Sequence, residues 1–196
     1  MRLEALLLAG VLTCCSGASV AQMGREDQKV AVGSAMDPAQ AQQVLLGMFE
    51  HELMGVVNAM PESKFDFAPG ASNFAPGTTA TFSGVRTFAQ QCTHLAQANY
   101  FFFQSFGGAK PSVDVRSLSN LKTKAEIVPA LQASFAYAHQ AVATMTPADA
   151  YTTIEGVDGM HTRATVASFA VAHGFDHYGQ MVEYLRMNGI VPPGSK

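Results

Sequence analysis

Helix start and stop signals divide the chain from residue 37 onward into four long segments. No segment shows the period-two alternation of apolar and polar residues that marks a strand. Asp37-Pro38 pairs an N-cap acid with proline at the first helical position, and the helix runs to about Met60, where Pro61 stops it. Its apolar residues, Val44, Leu45, Met48, Phe49, Val56 and Val57, follow helical spacing loosely. Ser83 caps a second helix that reaches about Phe106 and ends at Gly107-Gly108. Thr123-Lys-Ala-Glu126 is a capping box for a third, running to about Met145, with Pro129 placed to kink it beyond its first turn. The fourth starts near Thr162 and ends at Gly189, ahead of Pro192-Pro193. Helices of roughly 23 to 28 residues, each with an apolar side, predict an all-α four-helix bundle about 35–40 Å long over residues 37–193. The connection over residues 107–122 is long enough to return along the bundle, so simple up-down-up-down order is not forced. The loop over residues 61–83 repeats Phe-Ala-Pro-Gly at 67–70 and 74–77, which reads as two turns with phenylalanine anchors.

The chain has 196 residues, 48% hydrophobic and 14% charged, which suits one domain with a packed core. Twelve Lys+Arg against fifteen Asp+Glu, with no basic block, argue against a nucleic-acid groove or a polybasic membrane patch. No internal apolar run approaches the roughly 20 residues of a membrane span. Residues 1–21 follow the plan of a secretory signal peptide: Met1-Arg2, an apolar stretch from Ala5 to Leu12, and small residues at Ser19 and Ala21. Export to the periplasm or the medium after cleavage near Ala21 is the expectation. Thr13 before Cys14 is a poor match to a lipoprotein processing site. Residues 22–36 read as a flexible polar tail. Cleavage leaves Cys92 as the single cysteine, so no internal disulfide forms, and Cys92 reads as a small buried hydrophobe.

The six histidines carry the chemistry. His173 and His177, four apart on the last helix, stand one above the other on a face shared with Val166, Ala170, Met181 and Tyr184. Two inward imidazoles need partners for four ring nitrogens, and a metal ion satisfies two of them at once. Another helix should supply a third ligand at the same level. His94 lies deep in the second helix among Leu95, Ala98, Phe101 and Phe102; antiparallel packing would place it level with His177, and parallel packing would bring it to within about a turn of His173. His51, between Glu50 and Glu52, and His139, four residues after Phe135, are its competitors; His161 reads as solvated or a cap.

The segment from Gly84 through Gln90-Gln91-Cys92-Thr93-His94-Leu95 resembles the second helix of the DinB/YfiT-like family. Ala172-His173-Gly174-Phe175-Asp176-His177-Tyr178-Gly179-Gln180, with Tyr184-Leu185-Arg186 and Gly189 leading to Pro192-Pro193, is similar to its last helix. The resemblance spans about residues 38–193 and is most specific at its HxxxHxGQ ending. It implies a four-helix bundle whose one histidine on the second helix and two on the last hold a divalent metal, here His94, His173 and His177.

Three neutral ligands leave a fourth position for water or substrate. Zn²⁺ is the first candidate, and Ni²⁺, Fe²⁺ and Mn²⁺ also suit imidazole. Family members with an assigned reaction are metal-dependent transferases and isomerases using low-molecular-weight thiols such as bacillithiol or mycothiol. The resemblance therefore implies a thiol S-transferase or hydrolase acting on a small molecule. The alternative is a non-catalytic metal-binding or stress-associated module, with the fourth position blocked. A metallopeptidase is disfavoured because Gly174 stands where HExxH needs its glutamate. Gln180, one turn after His177, is a candidate for orienting a ligand; Asp176 reads as its neighbour in a supporting layer or as a surface charge. Arg86 and Arg163 are the cations near the motifs. Tyr100 to Phe103 place four aromatics in one turn, to be covered by neighbouring helices or by a homodimer interface.

Overall fold

The computed structural model describes residues 31–195, and the residues from Met36 onward form a compact unit. Residues 1–21, expected to be a signal peptide, and most of 22–36, expected to be a tail, lie outside the described residues. Four helices make up the unit: α1 Pro38–Ala59, α2 Phe88–Phe103, α3 Lys124–Ala143 and α4 Arg163–Met187. Among the described residues, no helix is long and apolar enough to cross a membrane.

The caps explain the boundaries. Asp37 accepts from the backbone N–H groups of Ala39 and Gln40, and Thr123 and Glu126 close the capping box of α3, which continues through Pro129. At α4, Ile190 N–H bonds Leu185 O and Gly189 N–H bonds Arg186 O, with Gly189 in the left-handed region, closing the last turn. The start of α2 differs from the expectation. Gly84 has φ +81, which no α-helix admits, so Ser83 cannot cap one; Thr87 does, reciprocally with Gln90. The next two N–H groups, on Phe88 and Ala89, bond the carbonyls of Phe67 and Phe65.

Side-chain links fix the topology. Gln42 meets Ser168 and Tyr178 meets Glu52, so α1 and α4 run parallel. Gln91 meets Gln180 while Arg163 reaches Phe106 O, so α2 and α4 run antiparallel. Gln43 bonds His139 O near one end of α1 and Lys124 bonds Asn58 O at the other, so α3 opposes α1. The order is up-down-down-up. The chain between α2 and α3 returns along the bundle through a 3-10 turn at Val115–Asn120, which Gln97 of α2 holds by its carbonyls.

The core is aromatic and aliphatic, with Phe49, Phe88, Phe103, Phe135, Leu95 and Leu131 all buried and Phe49 edge-on to Phe135 at 5.4 Å. On α1 the buried stripe is Leu46, Phe49, Leu53, Val56 and Val57, whereas Val44, Leu45 and Met48 face outward. Three of the four aromatics at 100–103 are buried within this chain, and Phe101 alone stays exposed. Phe67 anchors its turn edge-on to Tyr184, while Phe74 remains exposed with its ring against Phe82.

A β-hairpin corrects the expectation of no strands. β1 Thr153–Val157 pairs antiparallel with β2 Met160–Thr162 through a turn at Asp158 (φ 50) and Gly159 (φ 84). Both turn residues have positive φ, the pattern that favours Asp-Gly. The alternation was hidden because an inward position is Gly156, where a Cβ would lie 2.0 Å from Met160 O.

Gly174 has an equally tight neighbour. A Cβ there would lie 2.2 to 2.7 Å from ring atoms of the buried Phe49, so glycine lets α1 press onto α4 beside His173. Gly174→Ala is expected to lower unfolding free energy by about 1–3 kcal/mol through overpacking. Gly179→Ala, whose Cβ would meet nothing within 4 Å, should be neutral or stabilising by up to about 1 kcal/mol. Urea denaturation of the two variants checks the contrast.

Candidate metal centre

The antiparallel register of α2 and α4 brings His94 to His173 and His177. His94 Nε2 lies 3.3 Å from His173 Nε2, and His173 Nε2 lies 3.2 Å from His177 Nε2. Ring centroids are 4.6 to 5.3 Å apart and the planes are steeply inclined, so the nitrogens converge instead of the rings stacking. An ion holding three nitrogens tetrahedrally at about 2.0–2.1 Å keeps them about 3.3–3.4 Å apart. The spacing fits. Among the described residues, these three histidines form the one cluster of metal-ligand type, with no carboxylate or thiol joining them.

The electrostatics favour the neutral, ligating form. Burial is the main cause that holds His94 and His177 down to about 4 and lowers His173 as well. The charge of Arg86 pushes all three the same way, while Asp176 opposes it at His173 and His177. Neutral pH therefore finds the imidazoles with lone pairs available.

A chain of amides orients His177. His177 Nδ1–H donates to Gln91 Oε1 at 2.7 Å, Gln91 Nε2 donates to Gln180 Oε1 at 2.9 Å, and Gln180 Nε2 donates to Asp176 Oδ2 at 3.0 Å. With its oxygen facing the ring, Gln91 places the proton on Nδ1 and leaves Nε2 bare toward the other histidines. Gln180 thus acts one step further out than its position on α4 suggests, and Asp176 ends the chain at the surface. Gln91 was not singled out in the sequence, yet it lies three residues before His94 and so shares its helix face.

The remaining residues fall elsewhere. His51 and His161 are exposed. His139 ties α3 to α1, bonding Gln43 through Nδ1 and Glu50 through Nε2 at 2.9 Å. Arg163 pairs with Asp149 at 2.6 Å and bonds Phe106 O, which commits it to holding the loop. Cys92 is buried, and burial pushes its thiol up to about 12, so it is an inert packing residue.

His94 and His173 form one side of a cleft of about 420 Å³. Phe101, Phe102 and Phe169 wall it, and Gln97 and Asp158 of the hairpin turn supply its other polar groups. Neither the hairpin nor its contribution to the cleft was legible beforehand; the Asp-Gly pair was the available signal.

The DinB superfamily family model matches residues 46–181, a span that includes all three histidines and Gln91. The chain belongs to the DinB superfamily. Among curated proteins, none matches it. For this DinB-superfamily chain, the residues that could hold a divalent ion are His94, His173 and His177. If they do, Gln91→Leu should weaken Zn²⁺ binding about 10- to 100-fold by freeing the His177 ring, with Gln180→Ala weaker in effect. Competition with a chromophoric chelator measures this, and unchanged affinity in Gln91→Leu would show that the amide chain does not orient the ligand.

Proposed function

We propose that this protein is an exported metal-dependent enzyme in which His94, His173 and His177 hold a divalent ion, Zn²⁺ first, and act on a small molecule through a water or thiol nucleophile. One observation carries the reading. The three Nε2 atoms converge at ligand spacing beside a cleft that has room for a small molecule.

A divalent ion at this position supplies a lowered pKa for a water or thiol and polarises a carbonyl. The chain's own residues do the rest. Gln91 keeps the His177 proton on Nδ1, away from the ligating edge. His173 is packed edge-on by Phe102 at 5.4 Å, which restricts ring rotation. Phe101, Phe102 and Phe169 present an apolar surface to the substrate body.

The cleft favours this reading over the non-catalytic module, because a closed structural site needs a fourth protein ligand and the described residues offer none. Thiol transfer and hydrolysis share the same requirement, an accessible nucleophile beside the ion. Export rests on the pattern of residues 1–21, and the mature enzyme would begin near Gln22.

Replacement of the ion by Co²⁺ gives a visible spectrum that reports coordination. Adding 2-mercaptoethanol should shift that spectrum saturably and reversibly, as a thiolate enters the open position. A spectrum indifferent to thiol and to azide would mean a closed site, and the binding-module reading would replace this one.

A further inference from the structure

The cleft beside the histidines has a one-sided polarity. Its polar groups besides the imidazoles are Gln97 and Asp158, and no lysine or arginine lines it. Gln97 spends its N–H donors on the carbonyls of Val115 and Arg116, at 3.0 and 3.4 Å, so its amide oxygen remains to accept. The Asp158 carboxylate, at the hairpin tip, makes no hydrogen bond or ion pair among the described residues. Besides the imidazoles, every polar side chain the walls offer therefore accepts or carries negative charge. Arg86, whose charge reaches the histidines, is absent from the lining; it precedes α2, at the level of Tyr184, on the other side of the triad.

The walls add a second, independent preference. Phe101 and Phe169 are 48% and 39% exposed, high for aromatics packed about a site, and both turn toward the cleft. Phe102 links them, with ring centroids 5.6 Å from Phe101 and 5.5 Å from Phe169. Aromatic rings attract cations, and an aromatic wall with a nearby carboxylate suits an ammonium group. A carboxylate held away from the histidines would instead meet Asp158 and find no lysine or arginine on the walls.

We infer that the cleft takes a small organic cation, an amine on an apolar or aromatic body, with the ammonium group between Asp158 and the phenylalanine walls. The inference deepens the metal-centred reading, since the body of such a substrate would lie against His94 and His173.

Three probes of one size test the charge preference: 2-phenylethylammonium, 2-phenylethanol and 3-phenylpropionate. Binding is measured by calorimetry or NMR at neutral pH, on metal-free protein, so that no carboxylate is drawn to an ion, and again on zinc-loaded protein. The cation should bind metal-free protein about five- to tenfold more tightly than the alcohol, the sum of a screened ion pair and a cation–π contact. The propionate should bind more weakly than either. Asp158→Asn keeps the turn, because Asn-Gly adopts the same positive-φ geometry. In this variant the cation should lose about threefold or more, while the alcohol is unchanged. Equal binding of cation and alcohol, tighter binding of the propionate, no binding of any probe, or an unaltered preference in Asp158→Asn would overturn the inference. Metal content is measured on the same samples. Zinc loading without cation preference removes this inference alone; cation preference without zinc loading removes the metal-centred reading alone.

Discussion

Three imidazole nitrogens with available lone pairs meet within about one ligand spacing, and such an arrangement repels itself unless something positive joins it or the scaffold forces it. The scaffold here is the antiparallel pair α2 and α4. Their register is pinned at three heights: Tyr184 to Arg86 O at 3.0 Å, Gln91 to Gln180 at 2.9 Å, and Arg163 to Phe106 O at 3.1 Å. A slip of one residue along either helix would rotate a histidine by about 100° out of the cluster. The pins at both ends make that slip costly, because each would leave a partly buried polar group without its partner.

The remaining architecture supports that pair from opposite sides. Phe49 presses against the bare backbone of Gly174, so α1 backs α4 directly behind the His173–His177 face. Behind α2, α3 is tied by a buried link in which Asn99 Nδ2 donates to Ser134 Oγ at 3.0 Å. The up-down-down-up order makes this compatible with a long return between α2 and α3. That return brings Val115 to the cleft, and the hairpin before α4 brings Asp158. Connections that break the simplest bundle order are thus the ones that finish the site. The result is polarised: an amide chain orders one side of the triad, and an aromatic cleft lies on the other.

Local rules carried much of this. Asp37-Pro38, the Thr123–Glu126 box and Gly189 each act through their own backbone hydrogen bonds, so they can be read one residue at a time. The i, i+4 spacing of His173 and His177 is equally local; helix depth allowed His94 beside His51 and His139, and the resemblance of its segment to the family's second helix singled it out. Long-range features were harder to see. Ser83 looked like a cap until the positive φ of Gly84 moved the start of α2 to Thr87. The hairpin was concealed by Gly156, which leaves no side chain to mark its face. On α1 the apolar Val44, Leu45 and Met48 face outward, which is why the apolar residues there follow helical spacing only loosely. Gln91 escaped notice because glutamine is common on helix surfaces, and only the packed pair shows it bonded to His177.

The central claim is that the three histidines are joint ligands of one ion. Elemental analysis tests it most directly, on protein purified without a histidine tag and on His94→Ala, His173→Ala and His177→Ala, with circular dichroism confirming that each stays helical. The account predicts about one divalent ion per chain in the parent and loss of it in every variant. A parent that stays metal-free after reloading with Zn²⁺, Ni²⁺ and Mn²⁺, or variants that keep the ion, would contradict it.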